Sequence, residues 1–255
     1  MKKIPQSFSR VVLFACIIIL SSCNNDDRGN TITNAENKQP VGSSARDFLS
    51  NDNFTNLDIE IVFVDNNTAP NQNSINALRD FIEERTFKTN ININQRTITP
   101  PSVTSYSVND VINLEDTNRT SFNTDNTLSL FIFYANRESS GDQGVNAILG
   151  TAYRNTSFVM FKPTINAIGS QPNNPSAEIV ETSVILHEMA HLFGLVDNGT
   201  PLQSDHVDPS STSHCNVAGC LMLSNLEFGD GMTDMQGVPE LDPLCVADLQ
   251  ANGGR

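Results

Sequence analysis

From residue 57 the chain changes rhythm in a way that marks out its elements. Leu57, Ile59 and Ile61 recur at every second position and then run into Val62-Phe63-Val64, as in a strand entering a core. After Ser74 the apolar positions Ile75, Leu78, Phe81 and Ile82 fall at intervals of three and four, which predicts a helix of about three turns. Ile91 and Ile93 return to alternation as far as Ile98, and Pro100-Pro101 stop it. A β-α-β opening follows.

A short helix is predicted over 108–114. Thr127-Leu-Ser-Leu-Phe-Ile-Phe-Tyr-Ala135 is the most strand-like stretch of the chain, apolar enough for a central position. Two further strands, 147–153 and 157–161, are joined by Arg154-Asn155-Thr156 and read as a hairpin. Pro172 and Pro175 separate them from a helix running from Ser176 to Phe193, with Gly194 where a helix would stop. The rest is loop-rich until a terminal helix over 242–251, and no internal repeat is evident.

The N-terminus obeys different rules. Lys2, Lys3 and Arg10 flank the apolar run 11–20, too short to span a bilayer as a stable helix, and Leu20-Ser21-Ser22-Cys23 follows. These residues resemble a bacterial lipoprotein signal, which implies cleavage after Ser22 and acylation of Cys23. Asn24-Asn-Asp-Asp27 is similar to the acidic surface-export signals of Bacteroidetes-type lipoproteins. The expected organisation is a signal peptide over 1–22, a flexible polar tether over 23–45 and one catalytic domain over 46–255, held at an outer membrane or cell surface. Loss of the signal takes the formal charge from −14 to −17, a surface that repels polyanions and excludes nucleic acid as a partner.

The chemistry is concentrated late in the chain. All four histidines, His187, His191, His206 and His214, fall in one short stretch, and residues 187–194 read His-Glu-Met-Ala-His-Leu-Phe-Gly. Residues four apart share a helix face, so His187 and His191 can offer two imidazoles to one Zn2+, with Glu188 beside them as general base and acid. Zinc lowers the pKa of a bound water to about 7, and a neighbouring carboxylate can then move its proton to a leaving nitrogen.

With Gly194 and the Met-turn candidate Met222, this motif resembles the metzincin zinc metallopeptidases. The resemblance implies an α+β zincin fold: a twisted mixed sheet with helices on one side, an active-site helix, and an irregular C-terminal subdomain that brings a third ligand over Met222. It also implies an extended peptide or protein substrate alongside the strand before that helix. The third ligand departs from the usual pattern. Asp197 stands in the usual place, as in snapalysin-like metzincins, whereas His214-Cys215-x4-Cys220-x-Met222 is similar to archaemetzincins and favours His214; His206 is a third candidate.

Archaemetzincins carry a second zinc on four cysteines. Here the mature domain has three, Cys215, Cys220 and Cys245, with Asp248 near the place of a fourth. A Cys215–Cys220 disulfide is the first expectation for an exported chain, and a second zinc is the alternative. The expected function is thus zinc-dependent endopeptidase activity on a lipid-anchored protein. The rival is a surface lipoprotein that binds a partner or glycan and uses zinc structurally.

Overall fold

The structure, a computed structural model, describes residues 34–142, 147–228 and 235–255. The signal peptide, Cys23 and the first part of the tether lie outside the described residues. Strands β1 (Asn56–Phe63), β2 (Asn90–Thr97), β3 (Thr127–Ala135), β4 (Gly150–Arg154) and β5 (Ser157–Phe161) form a mixed sheet in the order β2-β1-β3-β5-β4. The β1 pairings with β2 and β3 and the β3 pairing with β5 are parallel; β4 is antiparallel to β5 and occupies one edge.

Alternation explains how this sheet makes two cores. On one face Leu57, Ile59 and Ile61 of β1, Leu128, Leu130, Ile132 and Tyr134 of β3, and Phe158 and Met160 of β5 join one buried cluster. On the other, Val62, Phe131, Phe133, Ala135, Val159 and Phe161 join a second. Burial on both faces is why β3 is apolar almost throughout.

The helices are α1 (Ala45–Leu49), α2 (Gln72–Arg85), α3 (Val108–Asn118), α4 (Lys162–Gly169), α5 (Ala177–Leu192), α6 (Asn225–Phe228) and α7 (Pro243–Ala251). Ile75, Leu78 and Ile82 of α2 and Val180, Val184 and Ile185 of α5 enter the first core, while Val111 and Leu114 of α3 enter the second. Helices therefore cover both faces of the sheet, not one. The helix expected over 108–114 is longer, because Ser107 and Asp110 form a reciprocal capping box and the turns beyond Leu114 place Glu115 and Arg119 in a buried ion pair of 2.7 Å.

One expected boundary moves and one helix is added. Packed chain begins by Asn34, so residues 34–45 belong to the domain and not to a flexible tether. Asn37 is buried, and its Nδ2 donates to Asn123 Oδ1 (2.8 Å) and Thr156 Oγ1 (3.1 Å); Asn155 Nδ2 donates to Ser44 Oγ (2.8 Å). Polar composition suggested a spacer, but these side chains carry the hydrogen bonds that dock the segment. Helix α4, absent from the periodicity reading, starts straight after β5 with Pro163 in its first turn and buries Ile165 and Ile168. Among the described residues no helix is long and apolar enough to cross a membrane.

Candidate metal centres

Helix α5 is buried at every residue from Val180 to Leu192, packed between the sheet, α2 and α4. A helix so enclosed cannot shift or rotate without opening the core, which makes it a rigid platform for the two histidines it carries. Ser176 caps its start by accepting from the Ile179 N–H (3.3 Å). At its end Gly194 N donates to His191 O (3.0 Å) and Leu195 N to Ala190 O (3.3 Å), the paired bonds of a Schellman turn. Gly194 is needed there: its φ is +73°, and a Cβ would lie 2.7 Å from the Ala45 Cβ and from the Thr200 N.

Four residues apart on this platform, the His187 and His191 rings lie 4.7 Å apart between centroids, with their Nε2 atoms 3.0 Å from each other. His214 comes from the far side. Its ring is 5.3 Å from that of His187 and 5.1 Å from that of His191, and one donor nitrogen from each of the three lies within 4.8 Å of the others. All three are buried.

Burial, and then the neighbouring His187 and His214, hold the His191 pKa well below its ordinary 6.5. That ring is neutral at working pH and presents a lone pair. His187 Nδ1 lies 2.8 Å from the Leu221 carbonyl, to which it donates, leaving Nε2 as the lone-pair nitrogen turned towards His191. Three buried imidazoles with converging nitrogens suit a divalent cation of the zinc type.

Glu188 is fully buried beside them. Its carboxylate lies against the start of β4, where Gly150 supplies the room: a Cβ there would meet Glu188 Oε1 at 2.6 Å and Val184 Cγ1 at 2.8 Å. Gly150 escaped the reading of the sequence, in which it was one residue of an apolar stretch. Only its neighbour in space makes it special.

The other candidates for the third position lie elsewhere. Asp197 is exposed; Val196 and Asp197 both take positive φ (57° and 61°), a tight turn that buries Val196 and points Asp197 to solvent. His206 is fully buried, but its Nε2 faces Cys245 Sγ (3.6 Å) and Asp248 Oδ2 (3.4 Å). Met222 is buried, and its carbonyl accepts from Cys215 N (2.8 Å), next to His214.

A second group is built on sulfur. Cys215, Cys220 and Cys245 are buried free thiols, so the expected Cys215–Cys220 disulfide is not formed. Instead the three sulfurs converge with the Asp242 carboxylate, one donor atom from each lying within 4.8 Å of the others. Cys220 and Cys245 Sγ are 3.8 Å apart, and Cys215 Sγ is 3.3 Å from Asp242 Oδ2. Asp242 also caps α7 through Leu244 N (2.8 Å).

Burial pushes the Cys215 thiol up to about 12, so ionising these sulfurs together needs a cation to balance them. The backbone N–H groups of Val217 and Met222 already point at the Cys215 and Cys220 sulfurs (3.3 Å each), as around a thiolate ligand. Asp242, not Asp248, is the fourth member. Its place before Pro243 marks a helix start, which hid its second use.

No protein-family model and no curated relative matches the chain. Among solved structures it is similar to the crystal structure of an archaemetzincin from Methanopyrus kandleri, at 14% identity, with a TM-score of 0.52, over 78% of this chain and 96% of that one. At that identity the likeness is one of fold: the chain shares the architecture of an archaemetzincin, and it carries two clusters of side chains of the kinds that can hold a metal ion.

Proposed function

We propose that the chain is a zinc-dependent endopeptidase in which His187, His191 and His214 hold the catalytic cation and Glu188 is the general base and acid. The observation that carries this reading is the convergence of three buried imidazoles next to a buried carboxylate on the same helix. When bound there, zinc supplies a Lewis acid for the scissile carbonyl and an acidified water. Glu188 takes the proton of the attacking water and returns it to the leaving amine nitrogen, and its seat against Gly150 fixes where that transfer happens. Among the described residues β4 is an edge strand of the sheet, so an extended peptide can lie as one more strand beside Glu188.

The sulfur group of Cys215, Cys220, Cys245 and Asp242 takes a second, structural zinc in this reading. Four protein ligands close such a site, whereas three imidazoles leave a position for water. That difference separates hydrolysis from a purely structural use of zinc in a partner-binding or glycan-binding protein. The chain is exported and anchored by a lipid on Cys23, a reading supported by the residues around positions 10 to 23.

Glu188→Ala tests the mechanism. The variant should retain its zinc and lose casein or gelatin hydrolysis by a factor on the order of 1,000 or more, and the wild type should lose it with a chelator. Near-normal turnover in Glu188→Ala would sink the proposal.

A further inference from the structure

The third histidine is delivered by the stretch with the least regular structure. Between Gly194 and His214 the described chain has no helix and only one isolated bridge, Val207 with Cys215, so His214 does not stand on a regular element as His187 and His191 do. It stands at the end of a compact turn over Asp208-Pro-Ser-Ser-Thr-Ser-His214. Asp208 N donates to His214 O (2.7 Å), Ser211 N to Asp208 O (3.2 Å) and His214 N to Ser211 O (3.1 Å). The Asp208 carboxylate closes the turn by accepting from Ser210 N (2.8 Å) and Ser210 Oγ (2.6 Å). The result places Ser211 Oγ 3.0 Å from His214 Nδ1.

We propose that Ser211 is a positioning residue for the histidine site, its hydroxyl accepting from His214 Nδ1–H and so holding Nε2 as the lone-pair nitrogen directed at the cation. The inference rests on the metal-site reading above. An imidazole that ligates through one nitrogen carries its proton on the other, and an acceptor for that proton sets both tautomer and ring angle. His187 has the Leu221 carbonyl for this purpose, held by the backbone and indifferent to side-chain replacement. His214 has a side chain. Affinity at the site is therefore open to change at a residue that touches neither cation nor substrate.

The test uses the full chain with Ser211→Ala and Ser211→Thr. Cobalt titration separates the two sites, since sulfur-bound cobalt has thiolate charge-transfer bands and histidine-bound cobalt has none. Zinc competition against a chelator then gives the affinity of the histidine site. Ser211→Ala is expected to weaken that site by 10- to 100-fold. The sulfur site and the unfolding temperature of the metal-free protein should stay unchanged, and Ser211→Thr, which keeps the hydroxyl, should restore the affinity.

Histidine-site affinity within threefold of wild type in Ser211→Ala overturns the inference. So does a Ser211→Thr variant as weak as Ser211→Ala, or a loss at both sites together with a lowered unfolding temperature, either of which shows that turn packing and not the hydroxyl matters. A wild type that takes up cation only at sulfur overturns the metal-site reading itself, and this inference with it.

Discussion

Gly150→Ala is the sharpest probe of how Glu188, the proposed general base, is seated. The added Cβ would stand 2.6 Å from Glu188 Oε1, 2.8 Å from its Cγ and 2.8 Å from Val184 Cγ1, where ordinary contact begins at 3.4 Å. The acid must give way by about 0.8 Å, and Val184 Cγ1, a buried core group, must yield by about 0.6 Å as well. A displacement on the order of 1 Å at a reacting group costs on the order of 100-fold in rate, or about 2.7 kcal/mol of transition-state stabilisation.

Neither His187 nor His191 is touched, so zinc content should hold, while the tighter packing costs about 1–3 kcal/mol of stability. The assay is kcat/KM on a quenched fluorescent peptide, with zinc per chain and unfolding temperature measured on the same preparation. Glu188→Asp alone should also be slow, but it shortens the acid and should show less than the full additive loss when combined with Gly150→Ala. Wild-type turnover in Gly150→Ala with zinc intact would refute the claim that the seat against β4 is the working position of Glu188.

Other outcomes follow from the same geometry. His214→Ala should take the zinc content from two equivalents to one, with the remainder bound to sulfur, while Asp197→Ala, altering an exposed side chain, should leave both; elemental analysis decides between them. In the metal-free protein the depressed His191 pKa means that the unfolded chain binds more protons below 6.5 than the folded one. This contribution is complete above pH 6.5 and is lost as pH falls towards the depressed value, so the denaturant midpoint of chelated protein should drop through that range and flatten in His191→Gln; equal slopes in both proteins would contradict it. Cys23→Ala should abolish fatty-acid labelling and move the chain out of the membrane fraction, and a persistent label would exclude lipidation at that residue.

The apolar pattern already contained most of the scaffold. Leu57, Ile59 and Ile61 at period two, the helical spacing of Ile75, Leu78, Phe81 and Ile82, and the unbroken apolar run of β3 locate their elements, because each pattern reflects one face or two turned to a core. His187 and His191 were legible for the same local reason, since a helix converts a spacing of four into a shared face. Helix α4 and the docking of residues 34–45 were not, because their stability comes from distant partners: Asn37 on Thr156, and Lys162 on Glu181 in a buried ion pair.

What only tertiary structure decided lies in the irregular stretch after Gly194. The sequence offered Asp197, His206 and His214 as companions to the first two histidines, and only the resemblance to archaemetzincins favoured His214, because a loop without regular repeat does not translate separation along the chain into distance. The positive-φ turn at Val196 and Asp197 sends the nearest candidate to solvent, and the Asp208–His214 turn brings the farthest one in. His206 goes instead to Cys245, and Asp242 completes the sulfur group from the start of α7. Two of these placements are set by irregular turns and two by contacts between residues remote in sequence, and neither leaves a periodic trace.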